Sequence, residues 1–345
     1  MVAPDPRLKG AGGAPSGVVA PFTRKRSAKA PAEGEDGLFT QSWYPICASS
    51  AATREFVRGF DFLDGRVIVF RDEQGNAHVK SAYCPHMGAD LSVGDMVAGR
   101  VRCIFHHWQY DHSGRCVELA CGDPPPPTAR LFSFPVMEKY GLVWAYNGLE
   151  PHYTLPDLPY PDSEIVYKVK TLGSVDVDPW VLAANTPDIQ HIKYLHGINL
   201  DGADPHEAVE WTDHSMFYNF SGTHPSGEPV RHRVGIIGTT MFWQSTDFAG
   251  RWFGFVASFT LVRPGKSLVW FTIAARRDMG TAEEVDKFIE FIFDVEVKVV
   301  VEDLLNMQTI HLTPGTVTKA DTTLMRFFEY LRRFPRAHPS GPFIK

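Results

Sequence analysis

The residue types with the most specific chemistry are Cys84 and His86 in Cys84-Pro85-His86, and Cys103 and His106 in Cys103-Ile104-Phe105-His106. Two thiolates and two imidazoles, arranged C-x-H and C-x-x-H with sixteen residues between, form a metal-binding set. Zinc accepts such ligands in a tetrahedral site. So does a two-iron cluster carrying thiolates on one iron and imidazoles on the other. Gly88 allows a tight turn behind the first loop, and Phe105 and Trp108 can shield a cluster from water. His107 follows His106 directly and is a rival ligand. Cys47, Cys116 and Cys121 have no such context and read as buried free thiols.

A second set lies about a hundred residues on, in Asn185-Thr186-Pro187-Asp188-Ile189-Gln190-His191-Ile192-Lys193-Tyr194-Leu195-His196. Two histidines and a carboxylate on one iron, with other positions open, suit the activation of dioxygen. His191 and His196 are five residues apart, an offset of about 140° on a regular helix, so they converge only if the helix ends or distorts near His196. Gly197 permits that ending. Asp188 stands one helical turn before His191, where an ordinary surface carboxylate is the plain alternative. For the carboxylate ligand, Asp303 falls on the apolar face of a long helix, with Glu302 and Glu296 as rivals. A lone carboxylate on a buried face is costly unless paired or bound to metal.

Cys84-Pro85-His86-Met87-Gly88-Ala89 and Cys103-Ile104-Phe105-His106-His107-Trp108 resemble the two cluster loops of Rieske oxygenases. The pattern N-x-x-D-x-x-H-x-x-x-x-H from Asn185 to His196 resembles the mononuclear-iron segment of the same family. Respiratory Rieske proteins are less similar, because they carry an extra cysteine in each loop where Ala89 and Ile104 stand here. Two positions depart from the usual oxygenase loop: Ile104 replaces the common Pro, and His107 the common Gly. The resemblance runs from about Phe39 to the long C-terminal helix. It implies a [2Fe-2S] cluster on Cys84, His86, Cys103 and His106, with His107 facing outward. It implies mononuclear Fe(II) on His191, His196 and Asp303, with Glu302 beside the ligands or at the surface. Asn185 is implied to position groups near the iron without binding it. Asp188 is implied to accept hydrogen bonds from His191 and from His106 of a neighbouring subunit, in a homotrimer. The implied activity is that of a terminal oxygenase. It takes O2, and electrons from a separate ferredoxin and/or NAD(P)H-dependent reductase, and carries out monooxygenation, either C–H hydroxylation or oxidative demethylation. Ring cis-dihydroxylation is the alternative, and a non-catalytic Rieske electron carrier a remote one. The absence of G-x-G-x-x-G agrees with a donor on another polypeptide.

The elements that must carry these residues are legible in outline. Residues 38–150 read as short strands and turns, an all-β domain for the cluster; Val67–Phe70 and Tyr140–Tyr146 are strands in it. The proline-rich Leu155–Pro161 links it to residues 151–345, the catalytic domain. That second domain mixes long antiparallel strands, at 252–260 and 267–275, with helices. Thr281 and Glu284 form a capping box for a helix reaching about Met307. The fold class is α+β, an all-β Rieske domain followed by an α+β helix-grip domain with an antiparallel sheet. Residues 1–37, rich in Ala, Pro, Gly, Lys and Arg, read as a disordered tail rather than a transit peptide.

Composition sets outer bounds. With 345 residues, 34 Lys+Arg and 40 Asp+Glu, the chain has room for two cores and carries a formal charge of −6. That balance argues against nucleic acid as a partner. No run of ~18 apolar residues suggests a membrane span. Five cysteines are too few for a disulfide scaffold and point to the cytoplasm. The expected substrate is a hydrophobic small molecule. It would be met by some of Trp243, Trp252, Phe253, Phe255, Phe259, Trp270 and Phe271, most of the others being core. Arg231 and Arg233 could meet a carboxylate but read first as solvated surface groups.

Overall fold

The computed structural model describes residues 30–309 and 317–345. Of the expected tail, residues 1–29 lie outside the described part, whereas 30–37 belong to the fold. Ala30 and Glu33 are buried. The Glu33 carboxylate accepts from Thr40 N (3.0 Å) and Thr40 Oγ1 (2.8 Å), and its own N–H donates to Asp178 (3.0 Å). This short segment has no hydrophobic period to announce it. A single buried carboxylate with matched donors holds it in place.

The first half is built from three small antiparallel sheets. One contains Val136–Lys139, Leu142–Tyr146 and Trp43–Ala48; a second contains Arg58–Phe62, Gly65–Arg71 and Ala77–Ser81. The third has four short strands between Asp95 and Glu118. Tyr140 and Gly141, expected within a strand, instead form the hairpin turn. Both have positive φ (56° and 75°), the conformation that a tight two-residue hairpin requires. Under the two Cys/His loops lies a core of Ile68, Phe70, Leu91, Val101 and Tyr110, which also encloses Cys84 and Cys103.

The second half is an eight-stranded antiparallel sheet. Its main path runs Ile165–Val175, Lys266–Arg276, Arg251–Arg263, Met241–Phe248, Pro229–Ile237, Ser215–Thr223 and Asn199–Leu200. Strand alternation sends neighbouring aromatics to opposite faces. Phe253, Phe255, Phe259 and Phe271 pack under a long helix, whereas Trp243, Trp252 and Trp270 join Trp43, Tyr140 and Trp144 against the first half.

Four helices matter here: α1 (Pro179–Ala183), α2 (Ile189–Tyr194), α3 (Ala282–Met307) and α4 (Thr322–Arg333). The expected capping box is formed, with Thr281 Oγ1 accepting from Glu284 N at 3.3 Å and Glu284 accepting from Thr281 N at 2.7 Å. Val285, Phe288, Ile289, Ile292 and Phe293 form its buried stripe, each large side chain contributing about 1.5–3 kcal/mol. The same stripe continues through Glu296 and Asp303. The helix thus carries two carboxylates into the interior at positions where its pattern calls for apolar groups.

The two halves share their ends. Phe39–Thr40 pairs with Arg336–Ala337, and Ile344 packs beside Tyr44, Phe62 and Leu261. Among the described residues no helix is long and apolar enough to cross a membrane.

Candidate functional site

The two Cys/His loops have the same backbone design. Cys84 N donates to Ala89 O (2.9 Å) and Gly88 N to Cys84 O (2.9 Å); Cys103 N donates to Trp108 O (2.9 Å) and His107 N to Cys103 O (2.9 Å). The fifth residue of each loop must turn left-handed, with Gly88 at φ 73° and His107 at φ 54°. His107 therefore occupies a position that glycine fills without strain. Cys84 and Cys103 are buried, and His86 and His106 are exposed at the tip, with ring centroids 4.5 Å apart. Trp108 stacks on His86 at 4.3 Å, and Phe105 lies 4.0 Å from His106. Cys84 Sγ is 3.0 Å from Tyr110 Oη. The three other cysteines are free; Cys47 and Cys116 are buried as expected, but Cys121 is exposed.

The second centre forms where α2 stops. Leu195 N and His196 N both donate to His191 O, at 2.8 and 3.4 Å, and Gly197 follows at φ 67°. That break turns the His196 ring toward His191, to a centroid separation of 5.1 Å. Asp303 arrives from α3, and the ligand atoms of His191, His196 and Asp303 all lie within 4.8 Å of one another. His196 Nε2 and Asp303 Oδ1 are 3.1 Å apart, yet both are buried without a hydrogen-bond partner. Glu302 accepts from His196 Nδ1 at 3.1 Å, and His191 Nδ1 donates to the Asp188 main-chain carbonyl. Each imidazole is thus fixed through Nδ1, leaving Nε2 directed to the common point. Burial pushes the His191 imidazole down from its ordinary value, which favours the neutral form that a metal needs.

Residues 42–135 match the model of the Rieske [2Fe-2S] domain. Chlorophyllide a oxygenase, chloroplastic, of Chlamydomonas reinhardtii is 30% identical over 188 residues, covering 53% of this chain and 28% of that protein. Cholesterol 7-desaturase nvd 1 of Ciona intestinalis is 29% identical over 195 residues, covering 53% of this chain and 39% of that protein. The match therefore spans well under half of either relative. The solved structure of dicamba monooxygenase bound to dicamba shares the fold, with a TM-score of 0.66 at 19% identity, covering 85% of this chain and 97% of that one. Residues 42–135 are a Rieske [2Fe-2S] domain, and the chain as a whole shares its fold with dicamba monooxygenase.

The cofactors of a Rieske oxygenase are a [2Fe-2S] cluster and a mononuclear iron, and the residues present fit both. Burial pushes the Cys84 thiol up, so a nearby metal charge is what would hold it as thiolate. The inner thiols and outer imidazoles supply the mixed donor set of such a cluster. At the second centre the unpartnered Nε2 and carboxylate oxygen are the atoms an iron would satisfy.

Two expectations change in detail. Asp188 meets His191 through its carbonyl, not its carboxylate, because it directly precedes α2 and its C=O points along the first turn. Asn185 lies half-buried in the cavity wall. That cavity, of about 400 Å³, contains His191, His196 and Asp303 together with Phe220, Phe242 and Phe255 in its lining. The expected Phe253, Phe259 and Phe271 line it too, whereas Trp243, Trp252 and Trp270 do not. Sequence reading missed His232 and Gln244 as lining residues. The signal for His232 was its alternation with Arg231 and Arg233, which face away: Arg233 pairs with Glu210 at 2.8 Å and Arg231 with Asp247 at 3.7 Å.

Three outcomes test these assignments. His107→Gly should keep the cluster's visible absorption, with stability within about 1 kcal/mol, as relief of left-handed strain offsets added chain entropy. His106→Ala should abolish that absorption. Glu302→Ala should weaken iron binding about 10–100-fold, measured by competition with a chelator, as His196 loses its orienting acceptor.

Proposed function

We propose that this chain is the terminal oxygenase of a multicomponent Rieske system, monooxygenating a hydrophobic, ring-containing substrate by C–H hydroxylation or oxidative demethylation. Electrons come from a separate ferredoxin and/or NAD(P)H-dependent reductase. The observation carrying this reading is that His191, His196 and Asp303 open into a largely phenylalanine-walled cavity of small-molecule size. Iron held by those residues would supply the activation of O2, and a cluster on Cys84, His86, Cys103 and His106 would supply electrons. The protein's own part is orientation and exclusion. Glu302 and the Asp188 carbonyl hold the two imidazoles, and the aromatic wall keeps water from the substrate.

The assembly we propose is a homotrimer in which each cluster tip docks beside a neighbour's second centre. Met87, Ile104 and Phe105 are 60–67% exposed around the cluster histidines. Tyr194 (83%) and Leu305 (72%) are exposed next to His196 and Asp303. Apolar surface at both places supports an interface there. The relatives named for chlorophyllide and cholesterol agree with a ring-containing substrate, and five free cysteines agree with the cytoplasm.

The test is oxygen uptake with a surrogate reductase against steroids, methoxy-aromatics and N-methyl compounds. Product containing one oxygen atom from O2 is expected with a neutral ring compound. Productive reaction only with small charged acids would overturn the substrate class, and a cis-diol product would overturn monooxygenation.

A further inference from the structure

Apart from His196 Nε2 and Asp303 Oδ1 of the metal-binding set, one buried side-chain polar atom among the described residues of this cavity wall has no partner, His232 Nε2. His232 sits on the strand Pro229–Ile237 between Phe220 and Thr246 on the neighbouring strands. Its ring stacks on Phe220 with centroids 4.6 Å apart, and Nδ1 lies 2.8 Å from Thr246 Oγ1. The Nδ1 edge is therefore fixed, while Nε2 is buried without a hydrogen-bond partner on a ring that forms part of the cavity wall. A buried nitrogen in that condition is costly unless something that enters the cavity satisfies it. Burial pushes His232 down to about 4, so the ring stays neutral near pH 7.

The other charged groups narrow what can enter. Glu296, Glu302 and Asp303 belong to the lining, and Gln244 Nε2 already donates to Glu296 at 3.2 Å. Arg231 and Arg233 are committed to acids on the other face of the sheet, and Lys298 on the rim is exposed. A carboxylate substrate would meet acidic groups and no inward-facing arginine. A neutral hydroxyl can donate to or accept from Nε2, whichever tautomer Thr246 selects.

We propose that His232 is a specificity-determining residue that reads a hydroxyl group on a neutral, otherwise hydrocarbon ring substrate. This deepens the oxygenase reading of the same cavity and rests on it. Strand geometry places His232 about 8 Å diagonally from Gln244, one strand over and two residues along. The hydroxyl end of the substrate would thus be held apart from the Glu296–Gln244 pair.

The experiment uses the full chain with both metals loaded, kept anaerobic, and measures binding by calorimetry. The probes are 2-(hydroxymethyl)naphthalene, its hydrocarbon counterpart 2-ethylnaphthalene, and 2-naphthoate. The alcohol should bind at least about tenfold more tightly than either of the others. His232→Phe should bring alcohol and hydrocarbon to equal affinity while leaving the hydrocarbon within about threefold of its original value. Thr246→Val, a smaller change to the wall, should reduce the same preference. Equal binding by the wild type, a preference that survives His232→Phe, tightest binding of the acid, or no binding of any probe would each overturn the proposal. Oxygen uptake separates the two readings. The binding pattern without uptake in the full substrate screen removes the oxygenase reading and keeps His232's role, and uptake without the pattern does the reverse.

Discussion

Replacing Asp303 with Ala is expected to strip iron from the second centre while leaving the cluster's visible absorption unchanged. Asp303 sits on the buried stripe of α3, two helical turns beyond Glu296, with Oδ1 3.1 Å from His196 Nε2 and no hydrogen-bond partner. An ionised carboxylate in that setting is favourable only against a cation. Removing a ligand should cost more affinity than the ~10–100-fold that a lost outer contact costs. Oxygenation should fall by at least the same factor, because His191 and His196 alone leave the site without its charged donor. Iron analysis alongside cluster absorption reads the outcome directly. Retention of iron and activity in Asp303→Ala would move the ligand role to Glu302 or Glu296. Glu302 is the weaker rival, since its carboxylate already accepts from His196 Nδ1 on the far side of the ring.

Asp188→Asn is expected to leave both metals bound and to slow single-turnover product formation about 10–100-fold. The Asp188 carbonyl orients His191 and survives the substitution, so iron binding should not change. The half-buried carboxylate is the group that changes, and in the proposed trimer it accepts from His106 of the neighbouring subunit. Asn can no longer attract that imidazole by charge. Undiminished single turnover, with both metals confirmed present, would remove Asp188 from the bridge and leave it only the carbonyl's positioning role.

The proposed metal-binding residues were legible because their types and spacings are rare in combination. Cys84, His86, Cys103 and His106 declare themselves by donor chemistry, and the five-residue gap from His191 to His196 demanded a helix break that Gly197 supplies. Asp303 was visible as a charge on an apolar helical stripe. The long strands and α3 followed from β-branched and aromatic runs and from a capping box. What sequence pattern could not sort was sidedness across the sheet. Trp243, Trp252 and Trp270 looked as suitable for a cavity as Phe253 and Phe271, yet alternation sends the tryptophans to the opposite face. The hairpin at Tyr140–Gly141 was hidden because tyrosine rarely adopts positive φ. Residues 30–37 were hidden because Glu33 is held by hydrogen bonds to Thr40 and Asp178, not by a hydrophobic repeat.

The most direct measurement is metal analysis of the purified full chain combined with visible absorption and low-temperature electron spin resonance of the dithionite-reduced protein. A coloured protein is expected, containing more iron than the cluster alone requires, with the resonance of a reduced Rieske cluster. The Asp303→Ala variant should lose only the excess. A colourless protein loaded with zinc at Cys84, His86, Cys103 and His106 would contradict the account.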